Sequence, residues 1–544
     1  MIESIGTTQT LQDLRLRHIE LIEKVRLPYF IGCRLKILLV ADSFIYFNDE
    51  NFGLSELIST LRGMSTLLYP VSVDLAHRGD PGTARLAGGQ PGFVFDYARL
   101  KQYHQLWIMA AETRDFTPIS DAERQAIRRF MDEGGGVFAT GDHEDLGVSV
   151  GGYIPRVRAM RKWFWPNPGP QGEPVAPHGS DATRHDTNRE GHDAGFSFND
   201  QSDDVPQRIT PHYFGTGFIR SVHPVLCTSS GPIRVLPDHA HEGECIVPAN
   251  LGANYTIGND SFREFPDGPD GNPLAPQVIA TSTMISGAAV PEFGKPPVPG
   301  GRFGAIGAWD GHRAGSFGRI VVDATWHHFI NINLIGDRGL GLPDPAIPKT
   351  MGFLHSVSGA AHYDRIKSYF RNIANWLTPR SMRRCLMHRQ LWLAANDGIV
   401  LENLRRSDLV ATGLLVLDRL QLVSPCQRLM LLDDLHVELP LQIRELIDPF
   451  AGGKRLAELA DLSMEADIER FSRELTAAVA GGVALQMFDS GLTPEALKRK
   501  AGEEEPEVPE LVVAADKGIA MALEALRTRF NKRSDVVRKL FAEL

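Results

Sequence analysis

Acids and imidazoles stand where apolar runs end. LKILLVAD (35–42) closes on Asp42 and Ser43, HQLWIMAAE (104–112) on Glu112 and Thr113, and GVFATGD (136–142) runs into Asp142, His143, Glu144 and Asp145. Further on, RFGAIGA (302–308) is followed by Asp310 and His312, and RIVVDAT (319–325) carries Asp323 and leads to His327 and His328. Carboxylates mixed with imidazoles suit two chemistries: ligation of zinc, iron or manganese, and proton transfer near neutral pH. Eleven of the 18 histidines fall between His143 and His328, where an even spread would place about six. His143 sits on a strand-to-helix turn, a position that presents side chains to ligands. Adjacent residues of an extended chain point to opposite faces, so only one of His327 and His328 joins a shared site easily, and His327 is the preferred one.

Two other segments invite a chemical reading. RHDTNREGHDAGFSFNDQSDD offers His185, Asp186, His192, Asp193, Asp200, Asp203 and Asp204. Its spacing is that of no HExxH helix, zinc finger or EF-hand, so it reads as a polar loop over a site or as Asx turns on a surface. RVRAMRKWFW (156–165) mixes Arg156, Arg158, Arg161 and Lys162 with Trp163, Phe164 and Trp165. Such a mixture binds a phosphate or stacks a base; a helix with one basic and one aromatic face has it by accident, which is the preferred reading. An anionic substrate held near the GDHEDLG turn is a third option. No GxSxG, P-loop or GxGxxG occurs, which disfavours a serine–histidine–acid mechanism.

The elements that must position these groups have a strand–helix rhythm between 35 and 141. Strands are expected at 35–42, 69–76, 104–112 and 136–142, with a helix over 53–64. A second helix begins at Ser120, where Ser120 and Glu123 form a capping box and Gly134 ends it. Alternation of this kind predicts a parallel sheet covered on both faces, with ligands at the carboxyl ends of its strands. Strand-like runs return at 232–236, 277–281, 302–308 and 319–325, and a helix over 361–378 closes the α/β part. An amphipathic helix is expected over 8–26, and a long polar insertion over about 166–215. From 381 to 544 the spacing is almost wholly helical, so the expected division is 1–34, 35–380 and 381–544.

Composition limits the function classes. The chain has 544 residues with a net charge of −10, 43% hydrophobic and 23% charged. These values fit a folded globular protein and argue against a nucleic-acid coat or a polybasic membrane binder. The five cysteines are dispersed with no CxxC, which fits a reducing compartment. No secretory signal or membrane-length apolar run is visible, so a cytoplasmic location is expected.

LKILLVADS, LWIMAAETRD, DEGGGVFATGDHE, GRFGAIGAWDGH and GRIVVDATWHH together resemble the class I glutamine amidotransferase-like superfamily, and within it the ThuA-like branch. The likeness covers about 40% of the chain. It implies a flavodoxin-like α/β domain with its reactive turn after the GGG strand. Amidotransferases carry cysteine at that turn; this chain has Asp142 and His143, and Glu112–Thr113 stand where a glycine-rich oxyanion loop is usual. ThuA-like proteins often place histidine there.

The expectation is therefore an α/β domain with a polar insertion and a C-terminal helical domain, acting as a hydrolase on a small molecule. Asp142, His143 and Glu112 are the catalytic candidates. His143, Glu144, His312, His327, His185 and His192 are candidate ligands for a divalent metal (Zn, Fe or Mn). The alternative is a non-catalytic ligand-binding or scaffold protein whose segment 381–544 docks a protein partner or a second copy.

Overall fold

The computed structural model describes residues 34–67, 71–113, 117–142, 145–163, 207–214, 221–228, 231–237, 243–268, 270–284, 301–396, 400, 408–423, 462–491 and 508–530. The expected helix over 8–26 and most of the polar insertion lie outside these residues.

A nine-stranded sheet organises the α/β part. Its strands are β1 (Leu35–Ala41), β2 (Val71–His77), β3 (Gln105–Met109), β4 (Gly136–Ala139), β5 (Gln207–Pro211), β6 (Val235–Leu236), β7 (Gln277–Met284), β8 (Gly301–Trp309) and β9 (Ile320–Asp323). The order across the sheet is β6-β5-β7-β8-β9-β4-β3-β1-β2. From β2 to β9 neighbouring strands run parallel, in the flavodoxin-like sequence 2-1-3-4 and then the late strand. Beyond β9 every pairing is antiparallel, through β8, β7, β5 and β6.

The parallel strands are apolar nearly throughout because both of their faces are covered. In β1, Ile37, Leu39 and Ala41 enter one core with Leu57, Leu61 and Met64 of α1 (Ser55–Leu67), while Leu38 and Val40 enter the other. That second core takes Ala126, Ile127, Phe130 and Met131 of α2 (Asp121–Asp132). Ser120 begins α2 with the expected box: its hydroxyl accepts from Glu123 N–H and Glu123 Oε2 accepts from Ser120 N–H. Helix α3 (Val357–Trp376) lays Tyr363, Ile366, Tyr369, Phe370 and Ile373 on the first core.

Three small two-stranded sheets lie outside this large one, and past residue 379 the described residues are almost wholly helical: α4 (Arg380–Ala395), α5 (Leu409–Val423), α6 (Leu462–Asp489) and α7 (Val508–Phe530). Among the described residues no helix is long and apolar enough to cross a membrane. Helix α6 packs between α5 and α7 at backbone distance. A Cβ added at Gly413 would stand 1.6 Å from the carbonyl oxygen of Ala477, and one at Gly481 2.0 Å from that of Leu409. A side chain there pushes rigid backbone apart. Gly413→Val is expected to cost about 3 kcal/mol, read as a lower urea midpoint of helical circular dichroism.

Candidate functional site

The crevice of an open α/β sheet opens where successive connections leave a strand on opposite sides. Here that point lies between β1 and β3. Asp42 stands just past β1 and is 1% exposed. Its Oδ1 accepts the peptide N–H groups of Ala111, at 2.6 Å, and Glu112, at 3.2 Å, both just past β3. Its Oδ2 has no hydrogen-bond partner among the described residues. Burial, and then the neighbouring Glu112 carboxyl, push the Asp42 carboxyl up to about 7, against the opposing pull of the two N–H groups and Arg78. Glu112 is half-buried, and desolvation raises its carboxyl above the usual range. Ser43 turns the chain out of β1 with φ of 52°, a left-handed conformation uncommon outside glycine.

Asp142 occupies the equivalent place after β4, and its peptide frame is tightly held. Arg161 donates to its carbonyl oxygen, Trp326 N–H donates to Gly141 O at 3.0 Å, and Asp142 N–H donates to Leu146 O at 3.0 Å. Gly141 lets the backbone approach closely there, since an added Cβ would lie 2.8 Å from the Leu146 carbonyl oxygen. Across from it, the turn after β9 presents His327. Its N–H is held by Thr325 Oγ1 at 3.0 Å, and its ring stacks on Trp326 at 4.0 Å. Nδ1 is 3.0 Å from Asn333 Oδ1, and Nε2 is 3.6 Å from Asp142 Oδ2. With the amide assigned this way, Nδ1–H donates to Asn333 and Nε2 faces the carboxyl group.

The β1 loop and the β9 turn form one wall. Phe44 meets Trp326 edge-on at 5.4 Å. Buried Asn331 donates to the carbonyl oxygens of Asn48 and Glu50 at 3.1 and 2.9 Å, which fastens the loop after Asp42. Asn331 and Asn333 thus position two strand ends from one short segment.

The structure brings Asp142 to His327 and Glu112 to Asp42. It does not bring His312. Because β8 runs antiparallel to β9, Trp309 pairs with Ile320 at the start of β9, and Asp310 and His312, just past β8, lie at the opposite edge of the sheet. Expecting Asp310 and His312 among the converging strand ends assumes a parallel β8. Asp310 instead forms a two-point pair with Arg319, at 2.7 and 3.1 Å, and His312 lends its carbonyl oxygen to Arg380. His327 and His328 lie in a turn rather than in extended chain, and His328 is buried in the core beside Asp323. His143, Glu144, His185 and His192 lie outside the described residues. Among the described residues no group of three or more His, Cys, Asp or Glu side chains is placed to hold a metal ion.

The basic-aromatic segment forms a short 3-10 turn, Val157–Ala159, rather than a two-faced helix. Three of its four cations are matched by internal acids, Arg156 by Asp132 at 2.6 Å, Arg158 by Glu264 at 3.2 Å and Lys162 by Glu244 at 2.5 Å, while Arg161 donates to the Asp142 carbonyl oxygen.

No protein-family model and no curated protein matches the chain. Among solved structures it is similar to a ThuA-like protein from Bacteroides uniformis ATCC 8492, at 11% identity and a TM-score of 0.28, over 64% of this chain and 92% of that one. It is also similar to a ThuA-like protein from Parabacteroides merdae ATCC 43184, at 12% identity and a TM-score of 0.25, over 63% of this chain and 90% of that one.

Proposed function

We propose that the chain is a cytoplasmic hydrolase of ThuA-like type, in the amidotransferase-like superfamily but without its cysteine. It would act on a small molecule at the carboxyl edge of the parallel strands, with a divalent ion held at the Asp142 turn. The observation that carries this reading is the pair His327 Nε2 and Asp142 Oδ2, two electron-pair donors facing each other at 3.6 Å while Asn333 occupies Nδ1. A cation or a proton belongs between such atoms. Two ligands each about 2.1 Å from a tetrahedral ion stand about 3.4 Å apart, so the spacing fits co-ligands, and the donor set suits zinc, iron or manganese.

Asp142 and His327 would hold the ion, together with His143, the next residue along the turn. Bound there, the ion would polarise the substrate and lower the pKa of a water molecule. Asn333 fixes the His327 tautomer, the role an outer hydrogen-bond partner plays for a ligating imidazole. Glu112, with its raised proton affinity, is a proton acceptor beside Asp42.

Elemental analysis tests the reading on chain purified without chelator. About one equivalent of zinc, iron or manganese is expected in the parent, lost in both His327→Ala and His143→Ala. No metal in the parent sinks the metal-dependent reading and favours the non-catalytic alternative, in which the helical part docks a partner or a second copy.

A further inference from the structure

We propose that Asp42 is held as a neutral carboxylic acid with its proton on Oδ2, and that it donates this proton to an oxygen of the ligand in the crevice between β1 and β3. Its two oxygens stand in different surroundings. Oδ1 accepts two peptide N–H groups, so it is occupied as an acceptor and the proton is excluded from it. Oδ2 is buried with no donor near enough to stabilise a negative charge among the described residues. An ionised carboxylate in that position bears a full desolvation cost, whereas a hydroxyl leaves only one neutral donor waiting for an acceptor.

The charged groups facing Asp42 favour the neutral form. Glu112, at the end of β3, repels an ionised Asp42. Arg78, just past β2, attracts it, but the Arg78 guanidinium is engaged by Glu123 at 2.7 Å. The raised proton affinity of the carboxyl agrees with this geometry. The predicted ligand carries a carbonyl, phosphoryl or leaving-group oxygen at this point rather than an ammonium group.

The position of the proton stands on the geometry alone; its use in bond cleavage rests on the hydrolytic reading above. In that use, water gives its hydroxyl to the electrophilic centre and its proton to Glu112, whose proton affinity is raised. The bond to the departing oxygen breaks with both electrons going to that oxygen, which takes the Asp42 proton. The proton on Glu112 returns Asp42 to its neutral form.

Infrared difference spectroscopy of the full chain, titrated from about pH 5 to about pH 9, tests the proposal without a substrate. A carboxylic-acid carbonyl band is expected in the parent at about pH 6, bleaching as pH rises through about 7, and absent in Asp42→Asn. Glu112→Gln, in which Asp42 is intact, is expected to move the bleaching midpoint down by about a unit, a tenfold lower proton affinity. That variant assigns the band even if Asp42→Asn fails to fold. No such band at about pH 6 overturns the proposal, as does its loss on adding Zn2+ or Mn2+ to His327→Ala, where the Asp142 site is already broken and Oδ2 would itself have to be the cation ligand. If His327→Ala removes metal and leaves the band intact, the two readings have been separated.

Discussion

Replacing Asp42 with asparagine is expected to remove a pH-dependent loss of stability worth about 4 kcal/mol. The Asp42 carboxyl is pushed from 3.8 to about 7 in the folded chain, a rise of about three units. Each unit corresponds to about 1.4 kcal/mol. Below the unfolded pKa, Asp42 is protonated in both states and contributes nothing to the pH dependence. Between about 4 and 7 the unfolded chain has released the proton while the folded chain still holds it, so stability falls as pH rises. Above about 7 both states are ionised and the loss is complete. Asparagine has the same shape, keeps an oxygen for the Ala111 and Glu112 N–H groups, and has no proton to release. The stability difference, Asp42→Asn minus parent, should therefore grow by about 4 kcal/mol between about pH 4 and about pH 8, read from urea unfolding at each pH. A flat difference would mean that Asp42 titrates as an ordinary carboxyl.

The same residue shows which features are legible in the sequence. That an almost wholly apolar strand ends on an acid is visible in LKILLVAD, and the ends of β1, β3 and β4 can be placed because strands buried on both faces read as nearly continuous apolar runs. Strand direction leaves no such mark. The run GRFGAIGAW has the same composition whichever way it crosses the sheet, and only its pairing with β9 reveals that His312 is carried to the far edge. Asn333 and Asn331 escape a sequence reading for another reason. They lie in FININLI, a segment too short to show a period, and their hydrogen bonds reach partners such as Asn48 that are distant in sequence. Two asparagines spaced two apart inside an apolar run are the one signal present, since buried amides need partners. Pairing of the basic residues 156–162 is equally invisible, because Asp132, Glu244 and Glu264 come from three separate elements.

The Asp42 carboxyl and the His327–Asp142 pair lie on strand ends joined by ordinary peptide hydrogen bonds. Ala111 and Glu112 sit between the β1 and β4 ends, and Gly147 N–H donates to Glu112 O at 3.0 Å, tying the turn after Asp142 to the end of β3. A charge change at Asp42 therefore occurs within one rigid edge. Proton affinity at Asp42 and cation affinity at Asp142 should be linked, each lowering the other, because both add positive charge to the same buried region.

Behind that edge lies a buried polar group that includes His328, the chain neighbour of His327. Asp323, His328 and Tyr369 are fully buried. The Tyr369 hydroxyl donates to Asp323 Oδ2 at 2.5 Å, and His328 Nδ1 lies 2.8 Å from Asp323 Oδ1, an ion-pair distance without the alignment of a good hydrogen bond. Burial, and then the Asp323 carboxylate, hold the Tyr369 phenol far above its usual pKa, so it remains a donor at any working pH. His328→Leu would leave the Asp323 carboxylate in the core without its imidazole, a loss of about 3–5 kcal/mol. Tyr369→Phe removes one hydrogen bond to a charged group and keeps the ring packed on Phe329 and Phe370, a loss of about 1.5–3 kcal/mol. The two variants should also differ at the site. His328 is the backbone neighbour of His327, whereas Tyr369 is on α3, so His328→Leu should loosen the His327–Asn333 contact and Tyr369→Phe should spare it. Urea midpoints give the first comparison, and the Nδ1–H proton resonance of His327 gives the second. Equal losses in both variants, with that resonance unchanged in each, would mean that the buried group supports the core alone and has no hold on the site.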